Sequence, residues 1–321
     1  MNPAAPMPLM ALESGLPSAE ESVMPLPPVT GRVLAVVVLY NKRFDEIPCA
    51  AKIKAWLDQP ANGSAGLHLV HCLVYNNSPL PSLPAFVAHV RMDCRQDPSN
   101  GGTRAAYLAA LDMALAQGCP WVLLLDHDTD LPDDFFTAAD RALAHATPGQ
   151  TIAAVVPQVF DGAVQVSPSR ITAYGRVHRR PPANGCLSST EGLTAIASAS
   201  LIQASSLSAS LPIPEAFKLD YLDHWLFRDI QRKGGALAIS SARINHSLSV
   251  FSMRVMSLER YRAILVAERL FLQGAPSYSK AKHGFWHLVR TVKLALLTRR
   301  LSLLGVCLHA ALNLIRGHEK Q

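Results

Sequence analysis

Three apolar runs constrain the fold most: RVLAVVVLYN (Arg32 to Asn41), LHLVHCLVYNNSP (Leu67 to Pro79) and WVLLLDHDTDLP (Trp121 to Pro132). Each is a continuous stretch rich in branched aliphatic residues, the pattern of a strand buried on both faces. Helical sequence lies between them, at Ala50 to Leu57 and at Ala105 to Leu115. Strands buried on both faces and alternating with helices imply an α/β fold with a parallel or mostly parallel sheet flanked by helices. Ligands of such sheets bind beyond the carboxyl ends of the strands. Here those ends carry Tyr40-Asn41, Tyr75-Asn76-Asn77 and Asp126-His127-Asp128.

The same reading predicts a third strand over Ala85 to Met92, a helix over Asp134 to Ala146 and a strand over Thr151 to Phe160. Loops and short strands follow from Ser167 to Ser198, then a strand and short helix over Leu193 to Leu207. An acidic loop runs into a helix over Phe217 to Gly235, with a strand and loop over Ala236 to Val250. Helices close the chain over Ser257 to Leu272 and Gly284 to Ile315. Residues 1–30, with seven prolines and no early basic residue, are expected to be a flexible leader and not a signal peptide.

Charge and cysteines exclude several classes. The net charge of +6 sits in the tail, where Ser279 to Gln321 carry eight Lys or Arg against one Glu. The body is near neutral, which argues against a nucleic-acid partner. Cys49, Cys72, Cys94, Cys119, Cys186 and Cys307 show neither a CxxC pair nor a ladder of short spacings. Zinc ribbons and disulfide frameworks are therefore not expected, and the thiols read as reduced, in a cytoplasmic protein. The first strand is followed by NKRFDE, with no GxGxxG, and no GxxxxGK[ST] occurs. A dinucleotide fold and a P-loop are set aside.

Two acidic segments carry candidate chemistry. Asp126 and Asp128 leave a buried strand toward the ligand side, and hard carboxylate oxygens suit Mg²⁺ or Mn²⁺ bridging a diphosphate. The same turn could be Asx-turn and capping chemistry, the favoured reading of Asp130, Asp133 and Asp134. In Asp220-Tyr221-Leu222-Asp223, an Asp at a helix N-terminus is expected to stay ionised and can take a proton from a hydroxyl. An ordinary N-cap is the alternative. His246, in a polar loop after an apolar strand, is by itself a weak metal ligand.

VVVLYN, VYNNSP, NGGTRAA, LLLDHDTDLP, LDYLDHWLFR and NHSLS, in this order, resemble family 2 inverting glycosyltransferases, nearest their rhamnosyltransferase-like branch. The resemblance covers about Arg32 to Val250. It implies a GT-A fold, with a nucleotide-sugar half at 31–132, an acceptor half at 133–250 and a basic helical extension at 251–321. It implies Asp223 as catalytic base and Asp126, Asp128 and His246 as metal ligands. It implies a donor site of Tyr40, Asn76, Asn100, Arg104, Asp126 and Asp128. The implied partners are a nucleotide-sugar donor, with dTDP-rhamnose favoured, and a saccharide or lipid-linked acceptor of bacterial surface polysaccharide synthesis. Tyr75 stands where relatives often carry a base-reading Asp, and Trp225 where the branch often carries an acidic residue.

A nucleotidyltransferase is the competing enzyme reading, but VVVLYNKRFDE lacks the glycine-rich loop such enzymes use. A catalytically silent binding protein is the third, and the joint presence of Asp126, Asp128, Asp223 and His246 speaks against it. Finally, Leu297, Leu301, Leu304, Leu308, Leu312 and Ile315 recur at helical spacing beside Lys293, Arg299, Arg300 and Arg316. That pattern fits a helix on an anionic membrane surface or one packed on the core. A peripheral membrane contact through 284–321 is one expectation.

Overall fold

The computed structural model describes residues 31–59, 66–79, 89–146, 150–171, 177–178, 192–245 and 257–273, with helical positions scattered between 285 and 308. The leader 1–30, His246 and most of the segment after 273 lie outside the described residues.

The chain begins with β1 (Arg32–Leu39), a short 3-10 turn (Phe44–Glu46), α1 (Ala50–Asp58), β2 (His68–Asn76) and β3 (Met92–Gln96). It continues with α2 (Gly102–Ala116), β4 (Trp121–Asp126), α3 (Phe135–Ala144) and β5 (Ile152–Asp161). Four short strands follow: β6 (Val164–Ser167), β7 (Ser169–Ile171), β8 (Val177–His178) and β9 (Leu193–Thr194). Then come β10 (Ser200–Gln203), α4 (Ala204–Ala209), α5 (Leu222–Arg232), β11 (Ala236–Asn245) and α6 (Leu258–Gln273).

The main sheet runs β11-β5-β10-β4-β1-β2-β3, with β6 on β5. β1 pairs in parallel with β2 and β4, β2 with β3, and β5 with β11. β10 is antiparallel to both β4 and β5, so it reverses the sheet at its centre. β7, β8 and β9 form a small second sheet.

Period-two alternation divides β1 between two apolar layers. Leu34, Val36 and Val38 face a core closed by α2, α4, α5 and α6. Val33, Ala35, Val37 and Leu39 face a second core closed by α1 and α3. Both faces of the sheet are thus covered, the α/β arrangement that the doubly apolar runs imply. Replacing a fully enclosed residue such as Leu124 by Ala would cost about 2–5 kcal/mol.

One strand differs from expectation. β3 occupies Met92–Gln96, a polar segment, and not Ala85 to Met92; residues 85–88 of that expectation lie outside the described residues. An edge strand paired only with β2 needs no apolar run, so period and composition give it no signal. The boundary expected at 250/251 falls among residues that are not described, but α6 beyond it packs into the body's core through Ala267, Phe271 and Leu272.

Candidate active site

The ends of β1, β2 and β4 are level. Val38 stands opposite Asp126 and Leu39 opposite Asn76, so the three polar termini converge on one edge of the sheet. Lys52 of α1 ties down the exit loop of β4 through the Leu131 carbonyl and the Asp133 carboxylate, 2.7 Å away. Asp134 stands at the N-cap of α3, but its side chain makes no capping hydrogen bond.

A turn that the sequence reading did not single out joins the two acidic segments. The Asp126 N–H donates to Ser198 Oγ at 2.9 Å, and Ser198 Oγ also meets Thr129 Oγ1. One residue earlier, the Ala197 N–H donates to Asp223 Oδ2 at 3.1 Å. The Ala199 N–H then donates to the Leu124 carbonyl, and β10 starts at the next residue. The reversal of chain direction at β10 therefore sets Asp223, on the first turn of α5, beside the end of β4.

The electrostatics agree with this placement. Burial pushes the Asp223 carboxyl up to about 7, the Ala197 hydrogen bond opposes that rise, and the nearby Asp126 charge adds to it. The expectation that Asp223 stays ionised through the helix dipole is therefore corrected. Desolvation outweighs the dipole, and near neutral pH the group is poised between its two forms. Tyr107, fully buried on α2, feels both acids: burial foremost, then the charges of Asp126 and Asp223, raise its pKa. Burial foremost, then the charges of Asp130 and Asp128, push the Cys49 thiol up to about 12.

The flanking residues have structural roles. Asp220 pairs with Arg260 of α6 at 3.5 Å. Burial lowers His224 to about 4, so its ring is neutral, and Nδ1 meets Thr194 Oγ1 at 2.7 Å. Trp225, where the family resemblance implies an acid, stacks on Phe217 at 5.7 Å.

The expected donor-site residues divide. Tyr40 is exposed at the end of β1. Asn76 is fully buried: its Oδ1 accepts from the Ser78 N–H and hydroxyl, and its amide donates to Gln96. These bonds brace the loop after β2. Its neighbour Asn77 is also buried, with a side-chain oxygen that finds no hydrogen-bond partner among the described residues. Tyr75 donates to Asp97 at 2.9 Å, and Asp97 also accepts from Ser99 and the Gly101 N–H, which holds its carboxyl below the usual range. Arg104 uses Nε on the Ile213 carbonyl, joining α2 to the loop before α5. Gly102 makes that junction possible: it has φ +76°, and a Cβ there would lie 2.5 Å from the Lys218 carbonyl oxygen.

Four non-glycine residues have left-handed backbone among the described residues: Asn41, Asn100, Ala199 and Tyr221. They stand after β1, before α2, before β10 and before α5, around the convergent edge. Such strain concentrates at functional sites.

No group of three or more His, Cys, Asp or Glu is placed to hold a metal among the described residues. Asp126 and Asp128 do have the hard-oxygen chemistry of a Mg²⁺ site, which commonly takes one or two carboxylates and completes itself with water and substrate phosphate.

No protein-family model matches the chain, and no curated protein matches it. Among solved structures it is similar to TarS of S. aureus, at 12% identity over 79% of this chain and 41% of that one, with a TM-score of 0.47. TarS 1–349 in complex with UDP is 13% identical over 79% of this chain and 68% of that one, at 0.45. GalNAc-T7 with UDP, GalNAc and Mn²⁺ is 12% identical over 68% of this chain and 44% of that one, at 0.49. The chain spans less than half the length of the first TarS structure and of GalNAc-T7. At such identities and scores, reaction and ligands do not carry over from them. The mostly parallel, helix-flanked sheet is the α/β architecture that the GT-A resemblance implied.

Proposed function

We propose that this chain is an inverting glycosyltransferase, moving a sugar from a nucleotide-sugar donor to a hydroxyl of a saccharide or lipid-linked acceptor. The observation that carries the reading is the pairing of Asp126 and Asp223 across the 197–198 turn, at the ligand edge of the sheet. One acid stands where the donor's diphosphate would lie. The other has a pKa of about 7, suited to a general base at neutral pH.

In this mechanism Asp223 takes the proton of the acceptor hydroxyl. The acceptor oxygen bonds to the anomeric carbon as the bond from that carbon to the diphosphate oxygen breaks. Configuration inverts, and a nucleoside diphosphate leaves. Asp126 and Asp128 would hold Mg²⁺ or Mn²⁺, which when bound neutralises charge on the diphosphate. The Ser198 hydroxyl fixes the Asp126 backbone, and the Ala197 N–H fixes the Asp223 carboxylate, so the acids meet the substrates without reorganising. Asn77, with its buried side-chain oxygen, would accept a hydrogen bond from the donor's nucleoside end.

The proposed donor is dTDP-rhamnose, supported by the sequence resemblance to the rhamnosyltransferase-like branch. His246 is the proposed third metal ligand, on the same ground. The proposed arrangement is a donor half at 31–132 and an acceptor half at 133–250, followed by an extension at 251–321, in a protein of the cytoplasmic compartment. A thermal-shift screen of nucleotide sugars with Mg²⁺ or Mn²⁺ tests this, since a donor raises the melting temperature. A hit is then assayed for release of the nucleoside diphosphate. Absence of both binding and release across the common nucleotide sugars would sink the reading.

A further inference from the structure

The described positions between 285 and 296 are helical and have two distinct sides. Thr291 and Ala295 are buried, and the Tyr261 hydroxyl of α6 lies 3.1 Å from Thr291 Oγ1. That side is docked on the body. About a quarter turn away, Phe285, Val289, Val292 and Leu296 recur at spacings of four, three and four residues, at 61%, 40%, 41% and 73% exposure. On a helix this spacing forms one stripe. Trp286 and Leu288 stand at its shoulders, also exposed, with exposed Lys293 on the Trp286 side.

A row of large apolar side chains open to water on a helix already docked by its other side calls for an occupant. Charge identifies its kind. No Asp or Glu occurs between Glu268 and Glu319, while Lys282, Arg290, Lys293, Arg299 and Arg300 fall within that span. A second copy of the same basic segment would be repelled. The Phe285-Trp286 pair, beside basic residues, has the composition favoured at the boundary between headgroups and acyl chains.

We infer that this stripe lies in the surface of an anionic lipid bilayer, with the helix parallel to the membrane plane. Among the described residues no helix is long and apolar enough to cross a membrane. In this inference the helix lies on the surface, the apolar stripe inserted and Lys293 among the lipid phosphates. The inference does not rest on the glycosyltransferase reading, and its test does not use activity.

The test is flotation of the full chain with vesicles of phosphatidylcholine, with and without phosphatidylglycerol. Binding is expected only with phosphatidylglycerol, weakening as salt rises. The double variant Phe285→Ser/Leu296→Ser should melt at the wild-type temperature and bind at least about tenfold more weakly. Three results would each overturn the inference. The first is no binding to phosphatidylglycerol vesicles, or equal binding to both kinds. The second is self-association of the wild type that the double variant abolishes, which would make the stripe an interface between copies. The third is vesicle binding that appears only after removal of residues 1–30, which would make the leader the occupant. If the double variant melts early, Val289→Lys and Val292→Lys made singly keep the test, because unchanged binding by both equally defeats the idea.

Discussion

The Ala197 N–H donates to Asp223 Oδ2 at 3.1 Å, and the next residue in the same turn receives the Asp126 N–H on its hydroxyl. The carboxylate of Asp223 and the backbone of Asp126, 97 positions apart in sequence, are thereby held by two consecutive residues. Ser198→Ala leaves the Asp126 N–H and the Thr129 hydroxyl without this partner. The expected loss is about 1–3 kcal/mol of stability, together with a fall in turnover. Urea unfolding and a transfer assay on the same preparation check both.

Asp223→Asn keeps the shape and the Ala197 contact of the side chain but removes the base. Transfer should fall by a factor of about 10²–10⁴, while the melting-temperature rise on adding donor stays at the wild-type value. Retained turnover would remove Asp223 from the role.

The pKa of Asp223 also sets opposite pH trends for rate and stability. Turnover should rise with pH with a midpoint near 7, as the carboxyl loses its proton. Stability runs the other way, because folding raises this pKa from 3.8 to about 7, and the folded state holds the proton more tightly. Its favourable contribution is full below 3.8 and is lost as pH rises through 7. Asp223→Asn, which cannot ionise, should therefore melt several degrees above wild type at about pH 8 and level with it near the acid end. Parallel melting curves across pH read this directly.

Asp128→Ala should abolish the part of donor binding that depends on added Mg²⁺ or Mn²⁺ and leave the apo melting temperature nearly unchanged, since Asp128 is half-exposed. Calorimetric titration of donor with and without the metal, compared with wild type, decides it.

Asn77→Ala separates binding from stability. Removing a buried oxygen with no partner among the described residues should leave the protein as stable as before or slightly more so. Donor affinity should fall by about tenfold, the worth of one hydrogen bond. A loss of stability with unchanged affinity would show that Asn77 serves the fold alone.

The apolar runs of β1, β2 and β4 made three walls of the site legible, because strands buried on both faces announce themselves by composition. The site's other wall was not legible. Ala197-Ser198-Ala199 is a run of small residues with no period, and its partners lie 72 and 26 positions away. Nothing local in the sequence distinguishes Ser198 from the other serines around it. Nothing in the sequence marks Tyr107, and its closeness to the two acids comes only from packing. The Asn76 side chain is hydrogen-bonded within the loop and the Asn77 Oδ1 has no partner among the described residues, a distinction that the order of two identical residues does not reveal. The burial that raises the Asp223 pKa depends on contacts distant in sequence, so the helix position alone points to the opposite direction.

The four left-handed residues around the edge also bear on how this scaffold can change. Asn41, Asn100, Ala199 and Tyr221 each hold a backbone shape that branched side chains refuse. Those corners are closed to most substitutions, whatever they might do for binding. Drift toward new ligands would therefore be confined to the side chains suspended between the corners. The loops could acquire new chemistry, while their frame stayed fixed.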